Sequence, residues 1–345
     1  MTTAQFHAGS ESSSRTSPAD RATLLLTRAE IAGLMTPADY LTAVETGFRL
    51  SKQGRAPAPA PLHIPGVAGG FHAKGAALMG SRGLVALKFN ANFPGNPGRG
   101  LPTIQGVVLL CDAEDGRVLA IMDSIEITLR RTAAATALAA RHLARPDASV
   151  LTVCGCGDQA RAQAVALAAT LPITQGLAWD IDADRAVAFA AEMSRALGLP
   201  FAATATLGDA TLAADVIVTC TTARTPFLTA ADVSSGTFVA AVGADSPDKN
   251  EIAPALMAGA KVVVDVLEQC LAMGDLRHAV VAAMTPANVH ADLGEVVTGV
   301  RPGRECRDEI VVFDSTGTAI QDVASAAAVY ERALAEGVGR EIMLA

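Results

Sequence analysis

Residues 149–167 read SVLTVCGCGDQARAQAVAL, and the expected architecture follows from this stretch. Its Val-rich start predicts a buried strand, and its Ala-rich end predicts a helix. The turn between them, GCGDQA at 155–160, has the G-x-G-x-x-A spacing of a dinucleotide-binding loop. In such a loop Gly155 permits the sharp turn, Gly157 lets the backbone approach a pyrophosphate, and Ala160 keeps the helix close to the sheet. An ordinary tight turn of an α/β protein is the alternative.

The next predicted strand ends on an acid at a suitable distance. GLAWD at 176–180 ends on Asp180, which stands 23 positions after Gly157, close to the ~20 typical of the acid that binds the adenosine ribose. Ile181 follows, rather than an arginine that could hold a 2′-phosphate. A carboxylate repels that phosphate, so the sequence favours NAD(H) over NADP(H). Asp182 is close enough to share this role, or is a solvated loop acid.

Two regions with different sequence patterns predict two domains. Strand-like and helical runs alternate through 146–317, which predicts a Rossmann-type domain with a parallel sheet covered on both faces. Residues 23–145 contain short strand-like runs separated by Gly/Pro turns, which predicts a mixed sheet with flanking helices. A closing helical run within 318–345 could return to this region, because chain ends often lie together. The expected fold is therefore α/β, preceded by a flexible tail at 1–22.

The composition excludes several classes of function. The 345 residues include 35 acidic and 27 basic side chains, for a net charge of −8, which is unlike a nucleic-acid binder. No apolar run reaches the ~18 uncharged residues of a membrane span, and no secretory signal is recognisable, so a cytoplasmic protein is expected. The six cysteines are then expected to be reduced. Cys154 and Cys156 lack a second pair at zinc spacing, so no metal site is predicted.

Four charged residues are candidates for chemistry. Lys88, in the apolar strand LVALKFN, must face solvent, pair with an acid or bind an anion. Arg130 and Arg131 precede the helical run TAAATALAARHLA, and a helix start disfavours cations, so an anionic ligand or simple exposure would explain them. Asp245 follows the strand TFVAAVG, and ligands bind beyond the carboxyl ends of parallel strands. A turn or capping acid is the alternative for Asp245.

Four segments together resemble a known family. They are the stretch from ALKFNANFPGNPGRGLP to HLARPDA at 86–148, CGCGDQA at 154–160, AAVGADSPDKNEI at 240–252 and VVFDSTGTAIQD at 311–322. With them the chain resembles the ornithine cyclodeaminase/μ-crystallin family from about residue 24 onwards. The resemblance implies a homodimer whose first domain, completed by the C-terminal helix, binds substrate and forms the dimer sheet. It also implies NAD-dependent chemistry at the C–N bond of a small α-amino acid or its imine.

The resemblance also implies roles for individual residues. It places Lys88 and Arg131 at the substrate carboxylate, and Asp245 at the proton of the substrate nitrogen. Physical chemistry agrees, because an arginine fork suits a carboxylate and an acid beside an amine can take its proton. The residues expected around the cofactor are Gly155, Gly157, Asp158, Gln159, Ala160, Asp180, Thr132, Thr221, Thr222, Val242, Gly243, Thr316 and Gly317.

Two positions depart from the cyclodeaminase pattern. Leu62-His63 stands where a further carboxylate-binding arginine is expected, and His72 stands where a glutamate is expected. Lys74 points to the same face of its strand as His72 and is a candidate replacement for the missing cation. Otherwise His63 and His72 are half-buried histidines satisfied by the backbone. These changes favour a cyclic-imine (pyrroline-2-carboxylate type) reductase or an amino-acid dehydrogenase. Ornithine cyclodeaminase is the alternative, and a non-catalytic NAD(P)-dependent ligand-binding protein is the rival from another class.

Overall fold

The computed structural model describes residues 22–344, so the predicted tail at 1–22 lies, save for its last residue, outside the described residues. Within this range the chain forms two sheets. The strands, numbered along the chain, are β1 (Thr23–Leu26), β2 (Leu62–Pro65), β3 (Gly70–Met79), β4 (Gly83–Asn92), β5 (Ile104–Asp112), β6 (Val118–Asp123), β7 (Val150–Cys154), β8 (Gln175–Trp179), β9 (Phe201–Ala203), β10 (Val216–Thr219), β11 (Phe238–Ala241), β12 (Lys261–Val264), β13 (Val289–Asp292), β14 (Val311–Asp314) and β15 (Arg340–Ile342). The helices are α1 (Arg28–Leu34), α2 (Pro37–Lys52), α3 (Ser124–Leu143), α4 (Asp158–Ala168), α5 (Ala183–Leu197), α6 (Leu207–Thr211), α7 (Pro254–Gly259), α8 (Leu267–Ala272), α9 (Asp275–Val281), α10 (Leu293–Thr298) and α11 (Ala319–Glu336).

The second sheet is parallel throughout, in the order β13-β12-β14-β11-β10-β7-β8-β9. Its central strands β10 and β11 are buried at every position, as expected of strands covered on both faces. The order in which strands are added reverses at β7. The chain continues from β7 to β8 and β9 on one side of it, and then returns to place β10 on the other side. Such a switch point opens a crevice at the carboxyl ends of the strands. The predicted Rossmann-type sheet is confirmed.

The first sheet is mixed, in the order β15-β1-β6-β5-β4-β3-β2. β1 runs parallel to β6, and the other neighbours are antiparallel. Burial alternates along β4, where Leu84, Ala86 and Lys88 are buried while Val85 and Leu87 are exposed. The even-numbered face of β3 and β4 therefore packs inwards, and the odd-numbered face lies at the surface of this chain.

Helix α11 packs against α2, α3, β3 and β4, so the end of the chain lies on the inner face of the first sheet. Thr318 caps its start, since its side chain accepts a hydrogen bond from the N–H of Gln321. Gly337, at φ +65°, ends the helix in the left-handed conformation that glycine adopts without strain. This placement brings the buried residues Gln321 and Asp322 next to β4.

Helix α3 begins at Ser124, earlier than the sequence suggested. Asp123 caps it, with Oδ1 accepting hydrogen bonds from the N–H groups of Ile125 and Glu126, both at 3.0 Å. Arg131 therefore lies inside the helix, and Arg130 pairs with Glu126 at 2.8 Å. The interpretation of these arginines as cations at a helix start is wrong, because an acidic N-cap starts the helix about two turns earlier.

Among residues 22–344, no helix combines the length and apolar character needed to cross a membrane. The six cysteines all lie in this range and are unpaired. Burial raises the pKa of Cys156 to about 12 and that of Cys154 well above its ordinary value. These two thiols therefore remain protonated at neutral pH and are poor nucleophiles.

Candidate active site

Two adjoining cavities of about 390 and 450 Å3 open beyond the carboxyl ends of β7, β10 and β11. Cys220, Thr221 and Thr222 line both cavities, so the two form one cleft. Its position coincides with the switch point of the parallel sheet, where α/β folds bind their ligands. The volumes lie within the ~300–1,000 Å3 usual for small-molecule sites.

The cavity of about 450 Å3 contains the predicted dinucleotide turn and Asp180. Gly155 has φ +90°, and an added Cβ would lie 2.7 Å from Cγ2 of Thr221, so only glycine fits. Gly157 is the N-cap of α4 without a side-chain cap, which leaves the helix N–H groups free for a phosphate. These features suit a bound dinucleotide. Ala160 is fully buried behind the turn.

Asp180 directly follows β8, at the edge of this cavity. Its Oδ2 accepts a hydrogen bond of 2.7 Å from the N–H of Cys156, which fixes the carboxylate beside the glycine turn. Asp182 instead caps α5 by accepting from the N–H groups of Asp184 and Arg185, so its carboxylate already has a structural role. Arg185 also lines the cavity, a cation that the argument from Ile181 overlooked.

The cavity of about 390 Å3 adjoins the first sheet and α3. It contains most of the other residues predicted around the cofactor, namely Thr132, Asp158, Gln159, Val242, Gly243, Thr316 and Gly317. Arg131 and Asp245 line it as well. The cleft thus leads from the dinucleotide turn to the charged residues predicted to bind substrate.

A buried glutamate fixes the cleft wall shared by β10 and β11. Glu251 is fully buried, and its carboxylate accepts hydrogen bonds from the Thr221 N–H at 2.6 Å, the Thr219 hydroxyl at 2.7 Å and the Gly243 N–H at 2.8 Å. Burial raises its pKa above the ordinary value despite these donors. One side chain therefore joins the ends of two strands at the cofactor cleft.

A second buried acid fixes the Thr316–Gly317 segment. Oδ2 of Asp265 accepts the Gly317 N–H at 2.7 Å, and its Oδ1 accepts the Thr316 hydroxyl at 3.1 Å. Gly317 has φ +72°, and an added Cβ would lie 2.4 Å from Nη1 of Arg131. Glycine is therefore required where this segment crosses the arginine.

Lys88 and Arg131 meet at one buried carboxylate, that of Asp322 on α11. Lys88 Nζ lies 2.8 Å from Asp322 Oδ2, and Arg131 Nε lies 2.8 Å from Asp322 Oδ1. Gln321 accepts a hydrogen bond of 2.7 Å from Arg131 Nη1. Of the three possibilities for Lys88, the structure shows pairing with an acid. The other N–H groups of the Arg131 fork lie beside the cleft that Arg131 lines.

Burial and charge set the pKa values of this cluster. Burial first, and then the charge of Arg131, lower the pKa of Lys88 to about 7. Burial alone would raise the pKa of Asp322, but the charges of Arg131 and Lys88 outweigh burial and leave that pKa below its ordinary value. Asp322 is therefore ionised, while Lys88 exchanges a proton near neutral pH.

Lys74, His72 and His63 lie on the same face of the first sheet as Lys88, where Lys74 is half-buried and both histidines are exposed. Lys74 on β3 stands directly opposite Lys88 on β4, and His63 on β2 stands opposite His72. The Lys74 ammonium donates a hydrogen bond of 2.9 Å to the Gly317 carbonyl. The two histidine rings contact each other, with Nδ1 atoms 3.4 Å apart. The histidines are therefore not paired with backbone groups, contrary to the alternative interpretation.

Asp245 lies at the mouth of the cleft with its side chain 56% exposed. Its Oδ1 accepts a hydrogen bond of 2.6 Å from the Lys249 ammonium, and both residues line the smaller cavity. Of the predicted substrate-binding and catalytic residues, Arg131 and Asp245 line the cleft directly. Lys88 does not line the cleft but contacts Thr128, which does, and Lys74 contacts Gly317, which also lines it.

The sequence of this chain matches a known protein family. A match to the ornithine cyclodeaminase/mu-crystallin family covers residues 21–337. The chain belongs to that family. The resemblance drawn from the four sequence segments is thereby confirmed.

Three solved structures of similar proteins share the fold of this family member. An archaeal alanine dehydrogenase dimer with bound NAD is 39% identical, with a TM-score of 0.90 over 94% of this chain and 100% of that chain. The Δ1-pyrroline-2-carboxylate reductase of Thermococcus litoralis, in complex with NADH and L-proline, is 32% identical, with a TM-score of 0.89 over 93% and 100%. The iminosuccinate reductase of Paracoccus denitrificans, in complex with NAD+, is 33% identical, with a TM-score of 0.87 over 93% and 99%. The predicted α/β fold class is confirmed.

Sequence reasoning missed several polar residues of the site, namely Gln321, Asp322, Glu251, Asp265 and Lys249. One signal was available for Asp322, because an acid in the apolar helical run AIQDVASAAAV must find a partner if it is buried. Glu251 and Lys249 lie inside the family segment at 240–252, and Gln321 and Asp322 lie inside the family segment at 311–322. Their partners, however, are set by tertiary packing.

Proposed function

We propose that this family member transfers a hydride between NAD(H) and Cα of a small α-amino acid or its imine, with Arg131 and Lys88 holding the substrate carboxylate. One observation carries the assignment of these residues. A buried pair of cations lies at the end of a dinucleotide cleft, with Arg131 itself lining the cavity. The predictions of NAD as cofactor, and of an oxidoreductase acting on amino acids or imines, are confirmed by the relatives, which bind NAD, NADH or NAD+.

The substrate carboxylate would bind the free edge of the Arg131 fork. Arg131 is only 4% exposed, and its side chain is already held by Asp322 and Gln321. A cation held in place before the substrate arrives loses little conformational freedom on binding. Lys88, on the other side of Asp322, adds positive charge when protonated. An uncharged amide could not balance the net positive charge that Arg131 and protonated Lys88 keep after both have paired with the single carboxylate of Asp322.

The substrate nitrogen would lie towards Asp245. Oxidation removes a hydride from Cα and a proton from nitrogen, and a carboxylate at the cleft mouth can accept that proton. The hydrogen bond from the Lys249 ammonium holds the Asp245 carboxylate in place. In the reverse direction the same carboxyl group would return the proton to the nitrogen.

The cofactor would lie along the cleft. When bound, NAD+ accepts the hydride from Cα, and NADH returns a hydride to an imine carbon. The turn at Gly155 and Gly157 would hold the pyrophosphate, and Asp180 the adenosine ribose. Thr316 and Gly317 would border the nicotinamide ring, beside Arg131. We propose the remaining predicted cofactor residues, Thr132, Asp158, Gln159, Ala160, Thr221, Thr222, Val242 and Gly243, as its other neighbours.

A substrate panel tests this proposal. NADH oxidation is followed with Δ1-pyrroline-2-carboxylate and Δ1-piperideine-2-carboxylate, and NAD+ reduction with L-alanine, L-proline and L-aspartate. Turnover in either set supports the proposal. Ammonia release from L-ornithine with catalytic NAD+ would identify a cyclodeaminase, the alternative that retention of Asp245 favours. Binding of NADH without turnover of any substrate would favour the ligand-binding protein.

A homodimer is the second part of the proposal. The odd-numbered face of β3–β5 exposes apolar side chains that a single chain leaves in water, namely Met79, Val85, Leu87, Phe89 and Val107, each 37–43% exposed. Contiguous apolar surface of this kind marks protein–protein contacts. Light scattering of the purified chain should give twice the monomer mass, and Leu87→Asp should give the monomer mass.

The proposal also assigns a role to each of the two predicted domains. Residues 23–145 with 318–345 would form the substrate-binding and dimerisation domain, and 146–317 the dinucleotide-binding domain. α11 supports this division, because its Asp322 meets Lys88 and Arg131 of the first domain. The unpaired cysteines agree with a reducing compartment such as the cytoplasm, where we propose that the protein acts.

A further inference from the structure

One wall of the cavity of about 390 Å3 has no role in the proposed reaction. It is formed by α3, by the start of β5 and by the loop before β5, and its residues are Pro102, Thr103, Ile104, Ile125, Thr128 and Leu129. Four of these six side chains are apolar. Arg28 also lines the cavity, but its guanidinium already pairs with Glu126 at 3.3 Å. This wall, which we call the apolar wall, is therefore suited to contact with a hydrocarbon group.

The tetrahedral geometry of the substrate Cα directs the substrate side chain to the apolar wall. Cα of an α-amino acid carries a carboxylate, a nitrogen, a hydrogen and a side chain. In the proposed reaction Arg131 binds the carboxylate, Asp245 faces the nitrogen, and the hydrogen points to the cofactor beside Gly317. These three residues line the same cavity as the apolar wall. The fourth direction is left for the side chain, and the apolar wall is the lining that remains.

Ile104 is the residue of β5 that lines this cavity. Val108 of β5 lies directly opposite Lys88, and Ile104 shares its face of the sheet because side chains alternate along a strand. The position between them is Gly106, where an added Cβ would lie 2.3 Å from Asn90 Oδ1. Ile104 is 41% exposed, so a large part of its side chain is open to contact with a ligand.

The loop before β5 holds the apolar wall in place. Asn96 is only 4% exposed, and its side-chain amide donates a hydrogen bond of 2.9 Å to the Pro102 carbonyl. The same side chain accepts a hydrogen bond of 2.6 Å from Arg99. The Phe93 N–H donates to the Thr103 carbonyl at 2.8 Å, which closes the loop. The wall is therefore formed before the substrate binds, and a preformed wall selects ligands by their shape.

Helix α3 supplies the other half of the apolar wall. Ile125, Thr128 and Leu129 stand at i, i+3 and i+4, so they share one face of the helix. Arg131 belongs to the same helix and lines the same cavity. One rigid element thus carries both the proposed carboxylate site and part of the wall, which fixes the distance between them.

We infer that Ile104 contacts the substrate side chain and limits its length. The inference rests on the proposed hydride transfer and adds the residue that selects among its substrates. The cavity must also take the nicotinamide end of the cofactor, which restricts the space left for the substrate. One methylene group more or less in an apolar pocket changes kcat/KM by about 10- to 200-fold. The side chain at position 104 should therefore set which chain lengths are accepted.

The test uses amino acids that differ only in the length of the side chain. L-Alanine, L-2-aminobutyrate and L-norvaline are compared with NAD+, by absorbance of NADH, in the intact chain and in Ile104→Ala. We expect the ratio of kcat/KM for norvaline to that for alanine to rise about 10-fold or more in Ile104→Ala. Ile104→Phe should lower the same ratio, because its larger side chain fills the space. If the chain reduces cyclic imines instead, Δ1-piperideine-2-carboxylate and Δ1-pyrroline-2-carboxylate, which differ by one methylene group, give the equivalent ratio.

Ile64→Ala is the matched control. Ile64 is exposed to a similar degree, 43%, but it stands on β2 opposite Phe71, on the odd-numbered face of the first sheet. Its substitution removes the same atoms as Ile104→Ala and should leave the ratio unchanged. Circular dichroism checks folding, and Ile104→Val replaces Ile104→Ala if the latter does not fold.

Two outcomes would overturn the inference while leaving the proposed reaction intact. One is a ratio that is the same in the intact chain, Ile104→Ala and Ile104→Phe. The other is an equal loss of kcat/KM for every substrate in Ile104→Ala, which would mean that Ile104 only supports the fold of the site.

A binding measurement separates the apolar wall from the reaction. Propanoate, butanoate and pentanoate carry a carboxylate and do not react, and calorimetry measures their affinity for the chain loaded with NADH. We expect pentanoate to gain about 10-fold in affinity relative to propanoate in Ile104→Ala. Unchanged relative affinities, or no binding of any of the three acids, overturn the inference. If no amino acid or imine is turned over, the proposed reaction fails, and the calorimetry alone then decides the role of Ile104.

Discussion

Asp322→Asn removes the one carboxylate between Lys88 and Arg131. The Asp322 side chain is 2% exposed, and those of Lys88 and Arg131 are 7% and 5% exposed. Water therefore has too little access to solvate the two cations once the carboxylate is lost. Removing one partner of a buried ion pair lowers the free energy of unfolding by about 3–5 kcal/mol. An exposed pair contributes only about 0–1 kcal/mol. We therefore expect a loss of about 3–5 kcal/mol at pH 6.

The loss should depend on pH in a defined direction. Lys88 can release its proton, and without Asp322 its pKa falls below the value of about 7 in the intact chain. Below pH 7 the intact native state then binds more protons than the variant. The stability of the variant consequently rises faster with pH. The deficit should shrink as pH increases through about 7, where Lys88 becomes neutral in both chains and only Arg131 is left unpaired.

Urea unfolding followed by circular dichroism at pH 6, 7 and 8.5 measures this effect. Glu336→Gln is the control on the same helix, because Glu336 pairs with Arg332 and both side chains are nearly half exposed. The control should cost at most about 0.5 kcal/mol at each pH. Adding Lys88→Met to Asp322→Asn should recover part of the loss, since one unpaired cation disappears. A deficit below about 1 kcal/mol at pH 6, or one independent of pH, would refute the reasoning.

Three other predictions concern the cleft. Asp180→Ala should reduce the preference for NADH over NADPH about 10-fold. Adding Arg185→Ala should cancel any gain in activity with NADPH. Unchanged KM values for both cofactors would contradict this prediction. Asp245→Asn should lower kcat about 100-fold or more. Asp248→Asn, which changes an exposed neighbouring acid, should not lower kcat. Equal kcat values for the two variants would mean that Asp245 only stabilises the turn. Because burial lowers the pKa of Lys88 to about 7, kcat/KM for a carboxylate substrate should fall as pH rises through that value, and Lys88→Met should flatten this limb.

Regular patterns made most of the fold predictable. The Val-rich runs became the parallel strands, and the apolar run LVALKFN became part of β4. The start of α3 was misplaced because the β-branched run before Arg131 hid a helix capped by Asp123. Helix α1 was missed because it has only seven residues, although its Thr27–Glu30 capping box was legible.

Sequence patterns predicted only those parts of the site whose residues lie within one local segment. The glycine turn and Asp180 follow from strand–turn–helix spacing, and the structure places them in one cavity. The buried partners were not predictable, because Asp322 meets Lys88 across 234 positions and Glu251 meets Thr221 across 30. Contacts of that kind depend on packing between elements, which no local pattern encodes.

The late position of Asp322 in the chain has a consequence for biosynthesis. Lys88 and Arg131 leave the ribosome long before the residue that neutralises them. Until α11 has been made and has docked, two cations face an unfinished interior, and the first sheet also lacks its edge strand β15. The parallel sheet, whose strands all precede α11, can form earlier. A nascent chain that stalls before residue 322 would therefore present a finished nucleotide-binding half beside an unassembled substrate pocket.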